Sequence, residues 1–196
     1  MKLNVTFLFL FFILGLSAFK SSAQDQTKKF RIEIEPAAFT LRGVSGSILY
    51  NVSKTPNLSL GLFGASVDVP LFTRANMFEN VGGDTSDVRL GFQIALMARY
   101  NLKLFKEMES NPYIGLIAGW EYFDIKQPYH PDPVRLTTYV FTPYIGYEFY
   151  FYKQMLFLNP QLRGVLYLGA QSDAPARKEA LSSFLFLPQV SIGIRL

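Results

Sequence analysis

From residue 183 to the end of the chain, large apolar side chains alternate with small or polar ones. Phe184, Phe186, Pro188, Val190, Ile192, Ile194 and Leu196 oppose Gln189, Ser191, Gly193 and Arg195. A period of two is the signature of a β-strand with one apolar face. Seven earlier stretches repeat it, over residues 30–40, 44–52, 58–69, 88–101, 112–124, 139–152 and 156–170, and from Lys28 onward none carries a convincing helical period. In the first, Phe30, Ile32, Ile34 and Ala38 oppose Arg31, Glu33 and Glu35. The fourth alternates without a break, Val88, Leu90, Phe92, Ile94, Leu96, Ala98 and Tyr100 against Arg89, Gly91, Gln93, Ala95, Met97, Arg99 and Asn101. The third is weaker, because Asp68 falls on its leucine face.

Eight such segments in a row predict an all-β chain folded as an eight-stranded antiparallel up-and-down barrel. Connections at 53–56, 102–111 and 153–154 are short or moderate, whereas those at 70–86, 125–138 and 171–182 are longer, with 41–43 the short exception. Short turns on one rim and long loops on the other fit a transmembrane barrel. Pro36, Pro143, Pro160 and Pro188 lie on the apolar face within or near strands, where proline cannot donate to the ladder, so bulges or rim positions are expected there.

Period alone does not separate a barrel with lipid outside from a soluble, lipocalin-like ligand-binding barrel with its apolar face inside. The polar residues separate them. Lys28, Lys29, Lys54, Lys103, Lys106, Lys126, Lys153 and Lys178 all fall at strand ends or in connections. The charges within strands are instead Arg31, Arg89, Arg99, Arg163 and Arg195 with Glu33, Glu35, Glu121 and Glu148, a near-balanced set suited to pairing inside a lumen. Gly91, Gly115, Gly119, Gly146, Gly169 and Gly193 leave room on that same face. Aromatics gather toward two rims, Tyr50, Tyr100, Tyr113, Phe149 and Phe151 at one and Trp120, Tyr122, Tyr139, Phe141, Phe184 and Phe186 at the other, as expected at two lipid–water interfaces.

Residues 1–23 differ from the rest: Lys2 precedes an apolar run from Val5 to Leu16, and Ser21 and Ala23 stand where a cleavable secretory signal is cut. The run is shorter than the roughly 20 apolar residues of a spanning helix. Cleavage leaves a barrel domain over 24–196 and, with Lys2 and Lys20 gone, lowers the formal charge from +4 to +2. Little is left to attract a polyanion, and no nucleic-acid partner is expected. The absence of cysteine excludes disulfides, a thiol nucleophile and a thiolate metal site.

With this leader, eight strands, the openings Asn111-Pro112-Tyr113-Ile114-Gly115 and Thr142-Pro143-Tyr144-Ile145-Gly146, and the closing Val190-Ser191-Ile192-Gly193-Ile194-Arg195-Leu196, the chain resembles the small eight-stranded outer-membrane β-barrel proteins, comparable with the membrane domain of OmpA, OmpX and OmpW. The resemblance implies a place in the bacterial outer membrane, a lipid bilayer around the wall, and a last strand read by the barrel-assembly machinery. In that family the last strand typically ends in an aromatic, from which Leu196 departs. Nothing follows the eighth strand, so the peptidoglycan-binding domain of some relatives is expected to be absent.

No enzyme, cofactor or metal is expected. The single histidine, His130, lies in a proline-rich loop with Asp132, and no spacing joins it to Ser86 or Ser183 as a triad. Asp84 and Asp87 lack the spacing of a calcium loop. The leading expectation is a barrel with a polar, charge-paired interior and a structural or surface-interaction role, meeting an extracellular partner at its long loops. Its alternatives are a narrow channel for ions or small hydrophobic solutes, admitted past Phe72, Met77 and Phe78, and the soluble barrel.

Overall fold

The computed structural model describes residues 29–53, 55, 57–77, 87–102, 111–126, 132–173 and 184–196. The expected leader, His130, Asp84, Ser86, Ser183 and Phe78 lie outside the described residues. Eight strands follow in order: β1 Phe30–Ile34, β2 Val44–Asn51, β3 Leu58–Asp68, β4 Asp87–Asn101, β5 Asn111–Lys126, β6 Val134–Phe151, β7 Leu156–Ser172 and β8 Phe184–Arg195. Each pairs antiparallel with the next, and β1 pairs with β8 to close an up-and-down barrel. Three short helical segments, α1 Ala37–Thr40, α2 Leu71–Met77 and α3 Tyr152–Met155, occupy connections. The connections after β2, β4 and β6, with the start of β1, form one rim, here the turn rim. The others form the loop rim.

Alternation dictates what the wall presents on each side. Leu96, Phe186 and Tyr139 stand on the outer face with 70%, 63% and 62% of their surface exposed, among many other large apolar residues. Arg31, Glu33, Arg99, Glu148 and Arg195 point inward and are buried. A soluble barrel requires the reverse, with Arg and Glu in water and the apolar face inside, so this arrangement excludes it.

Four expectations are corrected. β1 stops at Ile34: Pro36 has helical dihedrals (φ −61°, ψ −27°) and starts α1, which turns Ala38 into the barrel instead of outward. β6 begins at Val134 because Val134 and Leu136 alternate with exposed Arg135 and pair with Ile125 and Phe123 of β5, which shortens the expected 125–138 loop to 127–133. Tyr113, expected in a rim girdle, is buried inside, sharing its side of β5 with buried Ile117 and Glu121. Finally, the unbroken alternation expected of β4 is interrupted at Gly91, where the register shifts against both β3 and β5. That bulge swaps the faces beyond it, so Val88 and Leu90 turn inward and Arg89 turns outward.

A second bulge lies in β7, where Gly169 takes φ +64° opposite a register shift between Thr137 and Tyr139. A glycine in this left-handed conformation is the signature of a G1 bulge. The prolines do not generate bulges in the β7–β8 ladder, which runs in unbroken register through Pro160 and Pro188. Pro188 is tolerated because β1 reaches only to Ile192 of β8, leaving Pro188 at an edge on that flank.

Candidate functional site

The interior has two halves of different chemistry. Toward the turn rim it is a network of charged and amide groups centred on Arg99, to which all eight strands contribute. Arg99 of β4 gives Nη1 to Glu33 Oε1 of β1 and to Glu148 Oε1 of β6, both at 2.6 Å, and Nη2 to Glu33 Oε2 at 3.0 Å. Glu33 Oε2 also accepts from Asn159 Nδ2 of β7 at 3.0 Å and from Ser191 Oγ of β8 at 3.2 Å. Tyr113 of β5 donates its hydroxyl to Asn159 Oδ1, and its ring lies 4.2 Å from the Arg99 guanidinium carbon. Tyr150 donates to Glu148, whose Oε2 stands 3.7 Å from Arg31 Nη2. Arg31 Nη1 reaches Ser59 Oγ of β3 at 2.9 Å, and Ser59 passes the chain to Asn51 Oδ1 of β2 at 2.8 Å. Arg195 stacks on the Tyr150 ring at 5.0 Å.

Burying these ions is tolerable only because each carboxylate is multiply bonded: desolvation costs several kcal/mol per ion, and the fork of a guanidinium offsets it when the remaining lone pairs are also used. Rings complete the packing. Cβ atoms built at Gly115, Gly146 and Gly193 would overlap Tyr144, Tyr113 and Phe157, so the space expected beside these glycines is filled by aromatic side chains.

Toward the loop rim the inward face becomes apolar, with Phe63, Ala65, Leu90, Ile117, Phe123 and Val165 buried. One ion pair reaches into this half: Arg163 bonds Glu35, and its Nε and Nη2 also reach Gln161 Oε1 at 3.1 and 3.0 Å, while Ser45 Oγ donates to Glu35 Oε2 at 2.6 Å. A cavity of about 280 Å³ lies here, with α1 and α2 contributing to its wall and Glu121 among its lining.

Of the nine charged residues expected to share a network, Arg31, Glu33, Arg99 and Glu148 are joined by ion pairs, and Arg195 adjoins them through Tyr150. Glu35 and Arg163 form a separate pair nearer the loop rim. Glu121 is buried but apart from both groups, its Oε1 without a hydrogen-bond partner. Arg89 is a correction: placed outside by the Gly91 bulge, it bonds Asp68 at 2.8 Å near the loop rim. Asp68, the exception on the leucine face, is thereby explained, since the two charges meet on the outer face. Tyr113, expected at a rim, and Tyr150, not singled out in the sequence, both join the network, and each shares its strand parity with Glu121 or Glu148.

Among solved structures, the chain resembles the N-terminal β-barrel domain of Pseudomonas aeruginosa OprF, at 16% identity and a TM-score of 0.51 over 86% of this chain and 98% of that one. It has the fold of a small outer-membrane barrel. A major outer membrane protein from Thermus thermophilus (11% identity, TM-score 0.49, 87% of this chain and 100% of that one) and Acinetobacter baumannii CarO2 (11%, 0.40, 86% and 98%) are more distant. No protein-family model and no curated protein sequence matches the chain.

Proposed function

We propose that the protein is an integral β-barrel of the bacterial outer membrane whose interior is closed to water and ions, and that it acts as a structural or surface-interaction protein through its loop rim. The observation that carries this reading is Arg99, fully buried and bonded at once to Glu33 and Glu148 on two other strands. A network drawn from all eight strands leaves the turn-side half of the lumen filled by side chains, as suits a barrel of this strand number. The apolar outer face supports a lipid surrounding, because large exposed side chains such as Leu96 and Phe186 are costly in water and at home in hydrocarbon. The likeness to the OprF barrel domain supports the same location. β8, apolar along its outer face, is then the strand offered to the barrel-assembly machinery, and an extracellular partner would meet the loop rim.

Conductance tests the closure. Protein refolded into planar lipid bilayers is expected to insert and show no unitary current. Steady ohmic steps from the unmodified protein would overturn the closed-interior reading in favour of a narrow channel.

A further inference from the structure

In the loop-side half of the barrel the interior encloses a cavity. The cavity of about 280 Å³ is lined by apolar Phe63, Leu90, Ile117, Phe123 and Val165 among others, with polar side chains such as Gln93, Thr142 and Gln189 between them, and its size is near the lower end of small-molecule sites, about 300 Å³. Into this apolar space projects Glu121. Its side chain is only 3% exposed, Oε1 has no hydrogen-bond partner, and among the described residues it forms no ion pair. Two neighbouring groups are already engaged, while Gln93, opposite Glu121 in the β4–β5 ladder, lines the same cavity. Arg163 is held by Glu35 and Gln161, and Thr138, paired with Glu121 across the β5–β6 ladder, gives its hydroxyl to backbone carbonyls. Every other buried carboxylate among the described residues is bonded to an arginine. A buried carboxyl oxygen without a donor is costly, and a donor supplied from outside would offset that cost.

The wall beside the cavity is not strand throughout. β1 pairs with β8 only as far as Ile34 opposite Ile192, and the chain then turns into α1, so among the described residues no strand flanks the loop-side stretch of β8 there, and α2 packs against β8. Pro188 lies on this stretch, exposed on the outer face, and lines the cavity as well.

We propose that the cavity binds a small amphipathic amine, an apolar chain or ring bearing one ammonium group, with the apolar body against Phe63, Phe123 and Val165 and the ammonium donating to Glu121. The filled turn-side half and this site are independent: the barrel can be closed to ions and still bind an amine from the loop side.

The test is titration calorimetry of the full barrel in lipid nanodiscs, with heats from empty nanodiscs subtracted. n-Octylamine is the probe and n-octanol, its neutral counterpart, the comparison. Saturable one-to-one binding of n-octylamine is expected, about tenfold or more tighter than n-octanol, as a charge-assisted hydrogen bond in a dry site implies. Glu121→Gln, close in shape, is expected to erase that preference while leaving n-octanol binding unchanged. Ala65→Phe, which fills the cavity, is expected to abolish both. Equal affinity of the unmodified protein for amine and alcohol, or no saturable binding of either, overturns the proposal without any variant. Amine binding that survives Ala65→Phe overturns it too, by placing the amine elsewhere.

Discussion

Arg99 and Glu33, 66 residues apart in the chain, meet inside the barrel through two hydrogen bonds of 2.6 and 3.0 Å. Both side chains are essentially inaccessible, and Arg99 also holds Glu148, so removing the guanidinium strands two buried carboxylates. Arg99→Met is expected to cost about 3–5 kcal/mol. Urea unfolding of the refolded protein in phospholipid vesicles, followed by tryptophan fluorescence, measures it. Adding Glu148→Gln removes one of the stranded charges, so the double variant should be less destabilised than the sum of its single variants. Additive losses would mean that the two groups do not interact.

On the outer face, Arg89 and Asp68 form a pair of equally short distance but different consequence. With the Arg89 side chain 47% exposed, solvent screens the interaction. Arg89→Ala is therefore expected to change stability by about 1 kcal/mol or less in the same unfolding assay. A loss as large as that of Arg99→Met would place Arg89 in the interior after all.

Depth along the wall sets the cost of a charge facing lipid. Leu96 lies on the outer face between Tyr100 on the turn side and Trp120, which pairs with Ile94, on the loop side. Leu96→Arg is expected to cost about 2–4 kcal/mol, whereas Val44→Arg, at the loop-rim end of β2, should cost at most about 1 kcal/mol. Equal effects of the two in vesicles would contradict a lipid belt centred near Leu96.

The two bulge glycines are required for different reasons, which a matched pair of variants separates. Nothing lies within 4 Å of a Cβ placed at Gly169, but its φ of +64° penalises any side chain, so Gly169→Ala is expected to cost about 1–2 kcal/mol through the backbone alone. At Gly91 the obstacle is the Tyr122 ring, which a Cβ would overlap. Gly91→Ala should cost about 1–3 kcal/mol, and Tyr122→Ala in the same chain should relieve part of it, as it cannot for Gly169→Ala. Unfolding midpoints of the four variants check both statements.

The number of strands, their antiparallel order and the facing of most residues were legible in the sequence, because successive side chains of an extended backbone point to opposite sides whatever surrounds them. So Arg31, Glu33, Arg99, Glu148 and Arg195 could be placed inside from parity alone. What parity does not contain is register. The bulge at Gly91 exists only in relation to β3 and β5, and it moved Arg89 to the outside to meet Asp68. The helical turn at Pro36 likewise became visible only where β2 paired with a shortened β1. Which arginine meets which glutamate depends on closure, since β1, β4 and β6 are brought together across the lumen by the curvature of the whole sheet. Closure also decided the contrast between Glu33, which has four hydrogen bonds, and Glu121, whose Oε1 has no partner in an apolar cavity. In the sequence these are two glutamates of the same parity, and only the assembled barrel gives them different surroundings.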